Sequence, residues 1–189
     1  VIMLGVIIIV GIALWNYLTE PDRGFLIRLF IIGISLRIVL LAAIYIISIS
    51  RGGYGEIIPD SRLYFIRTVS MIQSWKGQPH FPGQFGERVG FPGHLYILSF
   101  FYLLVGLNTL IPNPTSLFSD KLISCLFGIL TGILIFYITK DIFGKKAAKI
   151  SSLFVIFYPS LVLWSITNTR EPINILLVSL IIFSLVRLW

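Results

Sequence analysis

The sequence predicts an all-α fold: a polytopic transmembrane helical bundle with an interfacial helix in its first long loop. Three observations predict it. Of 189 residues, 57% are hydrophobic and 12% charged, against roughly 45–50% and about 25% in an average soluble domain. Mean hydropathy is +0.95. The apolar residues also gather in runs near the ~20 residues that cross a hydrocarbon core. Too few charges remain to cover a water-soluble surface, which excludes a soluble enzyme, a disordered chain and a DNA-binding module. The net charge of +7 would suggest nucleic acid on a soluble domain. Here it reads as basic residues flanking spans and meeting anionic lipid headgroups, with no nucleic-acid partner.

The elements follow in order. Val1–Leu18 is the first apolar run; it has neither the basic lead nor the A-x-A-like cleavage site of a signal peptide. A polar break, Thr19–Gly24, precedes Phe25–Ile49, long enough to span with tilt. His94–Pro112 is shorter and aromatic, Leu117–Thr139 and Ala147–Ile166 follow, and Pro172–Trp189 is last. The chain reads as one transmembrane domain over 1–189, with spans near 1–18, 25–49, 94–112, 117–139, 147–166 and 172–189. It opens and closes inside apolar runs, so it is expected to be a fragment of a longer polytopic protein, inactive by itself.

Arg51–Gly93 is the long polar stretch, with five of 15 basic and three of eight acidic residues. Within it, Leu63, Ile66, Arg67, Ser70, Met71 and Ser74 recur at helical spacing, so Asp60–Trp75 is expected to lie in the interface. Gly and Pro punctuate Gln78–Gly93, which is expected to be a loop. The densest short basic loop is Lys140–Lys149, and the positive-inside rule places it in the cytoplasm. If all three intervening segments cross, loop 51–93 and loop 167–171 lie on opposite faces.

Ionisable residues in or beside spans are functional candidates by default. Arg37 sits mid-span, where insertion costs about 2.5–3.5 kcal/mol; it needs an ion-pair partner, a phosphate or a wet cavity. Asp60 starts the interfacial helix, either as its cap or as a partly desolvated base for a hydroxyl proton. Glu171 stands before Pro172 at a helix mouth, a dipole-favoured position. His80, Glu87 and His94 are compatible with a divalent metal, but their spacing matches no tight ligand pattern. Arg62, Arg67, Lys76 and Arg88 suit a phosphate or lipid headgroups. The lone Cys125 supports no disulfide, and P-loop, GxSxG, HExxH and CxxC motifs are absent.

A further pattern lies in the order of the motifs. A span with an internal Arg precedes a loop with Asp60-Ser61-Arg62-Leu63-Tyr64 and Trp75-Lys76-Gly77. An aromatic span over Tyr96–Gly106 follows, then Lys140-Asp141-Ile142-Phe143-Gly144-Lys145-Lys146, then Phe157-Tyr158-Pro159-Ser160 leading to Arg170-Glu171. Over about Phe25–Trp189 this resembles the N-terminal part of GT-C glycosyltransferases of the dolichyl-phosphate-mannose-protein mannosyltransferase kind. Val1–Leu18 is one more span than that pattern expects.

The resemblance implies an extracytoplasmic active site in a bacterial or archaeal plasma membrane. The donor it implies is a hexose, mannose or similar, on polyprenyl or dolichyl phosphate; the acceptor is a protein, lipid or glycan. It implies catalytic roles for Asp60 and Glu171. It puts Arg170, then Arg62 and Arg37, on the donor phosphate, and Tyr64, Lys76, Arg88 and His94 in the substrate-facing loop. No cofactor is certain, a divalent metal stays open, and no nucleotide site is needed. The rival readings are a transporter or flippase for lipid-linked glycans, and a non-catalytic membrane subunit.

Overall fold

A computed structural model describes residues 2–17, 22–51, 59–77, 93–105, 114–167 and 170–189. These residues form α1 (Ile2–Tyr17), α2 (Arg23–Ser50), α3 (Pro59–Trp75), α4 (Gly93–Val105), α5 (Pro114–Phe143), α6 (Lys145–Phe157), α7 (Pro159–Ile166) and α8 (Glu171–Leu188), and no strand. Within α2, α5 and α8 lie stretches long and apolar enough to cross a membrane, and α6 with α7 makes a fourth candidate, bent by 50°. The chain is an all-α polytopic bundle and an integral membrane protein. The segment expected to span over His94–Pro112 is described as α4, 13 residues long. The rest of that segment, 106–112, lies outside the described residues.

The central helix is α5. Two thirds of its candidate span (67%) is buried, against 28% for α2 and 17% for α8. The outer faces of α2 and α8 leave Ile31, Val39 and Ile46, and Val178, Ile181 and Leu185, exposed. A membrane bundle presents such faces to lipid.

Side-chain contacts define the two ends of the bundle. At one, Asp22, just before α2, takes Lys140 on α5 and Lys145 on α6, the latter at 2.7 Å. There too, Arg187 near the end of α8 pairs with Asp141 at 3.2 Å. Burial alone would raise the Asp22 carboxyl, but the hydrogen bonds and charges of Lys140 and Lys145 hold it below its ordinary value. Gly144 joins α5 to α6 at φ +83°, a left-handed conformation that glycine adopts without strain. At the opposite end, Tyr102 near the end of α4 donates to Asp120 near the start of α5. Thus α2, α5, the α6–α7 pair and α8 alternate in direction.

The bend follows from Tyr158-Pro159. Proline pushes the residue before it out of the helical region, and Tyr158 is extended, at φ −62° and ψ 121°. This strips the last carbonyls of α6 of their next-turn donors. At membrane depth such groups must be satisfied by neighbouring protein. Arg37 of α2, fully buried, does this: its Nη2 donates to the Ile156 carbonyl at 3.0 Å. Its Nε donates to Ser165 Oγ of α7 at 3.0 Å and its Nη1 to the Gly33 carbonyl at 3.2 Å. Ser165 passes the chain on, donating to the Val162 carbonyl at 2.7 Å.

Close approach makes this possible. A Cβ on Gly132 would lie 2.2 Å from Ile156 Cγ1, and one on Gly33 2.9 Å from Ile156 Cγ2. Small residues that let helices touch are the usual device of membrane packing, where lipid removes the hydrophobic drive between helices.

Replacing Arg37 by Met leaves the Ile156 carbonyl buried without its donor, which costs about 1–3 kcal/mol. The Arg37→Met protein is expected to unfold several degrees below wild type in detergent, as read by circular dichroism. Unchanged thermal unfolding would contradict the role.

Candidate functional site

The end of the bundle opposite Asp22 carries α3 and α4. Helix α3 is amphipathic: Phe65, Thr68, Val69, Ile72 and Gln73 are buried, while Ser74, Trp75 and Lys76 at its end are exposed. Its buried face packs on α4 through Phe65 and Tyr102, whose ring centroids lie 5.8 Å apart. Ser99 Oγ of α4 also donates to the Thr68 carbonyl at 3.3 Å. Trp75 and Tyr96 stack at 6.1 Å. The period of Asp60–Trp75 predicts this helix, but its buried face runs through Phe65, Thr68, Val69, Ile72 and Gln73, not through Ile66, Arg67, Ser70, Met71 and Ser74.

The packing brings two expected site residues, Tyr64 and His94, into contact, and two more, Arg170 and Glu171, act on His94 electrostatically. His94, in the first turn of α4, sets its ring edge-on to Tyr64 of α3, at 5.2 Å and 79°. The charges that act on His94 are Arg170 and Glu171, beside α8, and Arg67 on α3. Its imidazole is pushed below the ordinary histidine range, first by burial and then by the two guanidiniums, with the Glu171 carboxylate opposing them. His94 is therefore neutral at pH 7. Arg170 is mostly exposed, and its Nε lies 3.6 Å from Glu171 Oε1.

Two atoms at this place stand out. His94 Nε2 and Glu171 Oε2 are out of solvent contact, and neither has a hydrogen-bond partner among the described residues. Buried polar atoms are normally paired, by protein or by ordered water. Arg67 and Arg170 beside them favour an anionic or polar ligand over a divalent cation. Among the described residues no three His, Cys, Asp or Glu come together.

The other expected residues fall elsewhere. Asp60 and Arg62 belong to the first turn of α3, and their side chains lie outside the described residues. Arg88, with His80 and Glu87, also lies outside them. Lys76 is exposed just past α3. Arg37 sits in the bundle interior, and its three acceptors, Ser165, Gly33 and Ile156, are all uncharged.

The sequence reading passes over Asp120 and Lys121, which it absorbs into an apolar segment. Both are buried, at 1% and 2% exposure, and Asp120 receives the Tyr102 hydroxyl. Two opposite charges side by side in an expected span were the available signal.

Residues 92–189 match the sequence model of a family described as dolichyl-phosphate-mannose-protein mannosyltransferase. The match covers more than half of the chain, which therefore belongs to that family, one of membrane glycosyltransferases. No curated protein and no solved structure matches the chain. The matched stretch holds His94, Asp120, Lys121, Arg170 and Glu171, while Asp60, Arg62 and Arg67 precede it.

Histidine NMR in a His80→Ala background reads His94 alone, since the chain has two histidines. Its midpoint is expected below the ordinary value of about 6.5, and higher in Arg170→Gln, which removes a positive neighbour. A midpoint above 6.5, or one that falls in Arg170→Gln, contradicts the geometry described.

Proposed function

We propose that this member of the dolichyl-phosphate-mannose-protein mannosyltransferase family is a GT-C-type transferase. In this reading it moves a hexose, mannose or similar, from polyprenyl or dolichyl phosphate to an acceptor hydroxyl on the extracytoplasmic face. The observation that carries the reading is the Arg170–Glu171 pair, 3.6 Å apart at the mouth of α8 and at the end of the bundle away from Asp22, Lys140 and Lys145. By the positive-inside rule the lysine-rich end is cytoplasmic, so the site opens outward.

That placement also bears on the parity of the loops. With α2 running outward, α5 inward and the α6–α7 pair outward again, loops 51–93 and 167–171 share one face. A lipid-bound donor stays in the bilayer with its headgroup at the surface, which is where an interfacial helix and the mouth of α8 stand.

The chemistry follows from residue types. The acceptor oxygen attacks the anomeric carbon, the bond from that carbon to the phosphate oxygen breaks, and the lipid phosphate leaves with the bonding pair. Asp60 takes the acceptor proton. Glu171 holds acceptor or sugar hydroxyls from the second loop. Arg170 and Arg62 stabilise the charge that grows on the departing phosphate. Arg37 serves the phosphate through the fold: it fixes α7, which leads directly to Arg170. Tyr64, Lys76, Arg88 and His94 form the substrate-facing wall. The acceptor is a protein, lipid or glycan hydroxyl.

In the full-length protein, Asp60→Asn and Glu171→Gln are each expected to lower turnover of polyprenyl-phosphate mannose by about 10²-fold or more, with the helical spectrum unchanged. Wild-type turnover in Asp60→Asn would remove that residue from the mechanism.

A further inference from the structure

Helix α4 differs from its partner α3 in a way that decides where it lies. The sequence of α3 contains Arg62 and Arg67, whereas α4 has no Asp, Glu, Lys or Arg. Leu95, Leu98 and Tyr102 make the buried face of α4. Tyr96, Phe100, Leu103 and Leu104 recur at helical spacing on the other side and are 40–63% exposed. Trp75, half exposed and stacked on Tyr96, extends this stripe from the end of α3. A helix that is apolar on every side belongs in a protein core or in lipid.

Two contacts set its depth. Tyr102 reaches Asp120, where the apolar stretch of α5 begins, and the Phe101 ring reaches that of Phe127 at 5.2 Å. Phe127 lies about 10 Å further along α5 toward the lysine-rich end. The second half of α4 therefore stands beside the apolar stretch of α5. At the same end of the bundle α2 exposes Ile46, Ile47 and Ile49, so the lipid belt extends to this level. We propose that the stripe of Tyr96, Phe100, Leu103 and Leu104 is a lipid-binding surface that seats the α3–α4 pair in one leaflet. Phe100, Leu103 and Leu104 lie among acyl chains, and Trp75 and Tyr96 lie at headgroup level, where such rings concentrate. The pair thus carries a membrane contact of its own, separate from the spans. It holds α3 at the bilayer surface whether or not the chain transfers a sugar.

Environment-sensitive fluorescence tests this on the full-length protein in phosphatidylcholine liposomes. Phe100→Cys, Leu104→Cys and Lys76→Cys, each in a Cys125→Ser background, are labelled with the fluorophore NBD. At positions 100 and 104 the emission is expected to shift to the blue and to be lost when the lipid carries a spin label on its acyl chain. Aqueous iodide is expected to leave it unchanged. Position 76, which is exposed beside the stripe, is expected to show the reverse. Quenching by iodide at 100 and 104 puts the stripe in water and overturns the proposal. Shielding from iodide and spin label alike means that protein covers the stripe, and overturns it too. The unsubstituted protein gives a second reading that does not depend on how the variants fold. A phosphatidylcholine with a photoreactive acyl chain is expected to leave adducts between Tyr96 and Leu104. Adducts on α2 and α8 with none on that stretch overturn the lipid-binding surface as well.

Discussion

The buried guanidinium of Arg37 is the interaction on which the arrangement of the bundle depends. A proline in the middle of a membrane segment frees backbone carbonyls that lipid cannot satisfy. Arg37 brings rigid, planar, permanently charged donors to that point and spreads them over α2, α6 and α7. The bond to Ile156 stabilises the bend, and the bond to Ser165 fixes the short helix beyond it. From Ser165 the chain runs in five residues to Arg170. A residue buried in the bundle thereby sets where the cationic mouth of α8 stands. The glycines around it are part of the same device, since Cβ atoms at Gly33 and Gly132 would strike Ile156.

The few charges of the chain sort to the two ends. At one, Asp22 gathers Lys140 and Lys145 and ties α2, α5 and α6 together, with Arg187 and Asp141 adding α8. These groups satisfy one another and read as structure. At the other, Arg67, Arg170 and Glu171 act on His94, and His94, Arg170 and Glu171 lie in the stretch that matches the family.

Much of this was legible in the sequence, because hydrophobic run length and helical period report directly on burial in lipid and at its surface. Composition alone gave the membrane class, the period of Asp60–Trp75 gave α3, and Pro159 marked the interruption between α6 and α7. What escaped was tertiary. A mid-span arginine suggests an acid or a phosphate as its partner; carbonyls released by a bend some 120 positions away leave no local trace. His94 and Glu171 are far apart in the chain, and only the fold brings them within electrostatic range of each other. Asp120 and Lys121 were hidden by averaging over an apolar window. The alternation of α2, α5, the α6–α7 pair and α8 puts Arg51 and Arg170 at one end, where a count of three full crossings puts the two loops on opposite faces.

The central claim is that α3 and the Arg170–Glu171 turn face the same side of the membrane, away from the lysine-rich end. Single cysteines at Lys76, Arg170 and Lys146, all exposed positions, test it most directly with a membrane-impermeant maleimide on intact cells. Positions 76 and 170 are expected to label from outside, and position 146 only after permeabilisation. Labelling of 76 and 170 from opposite sides would contradict a single shared site.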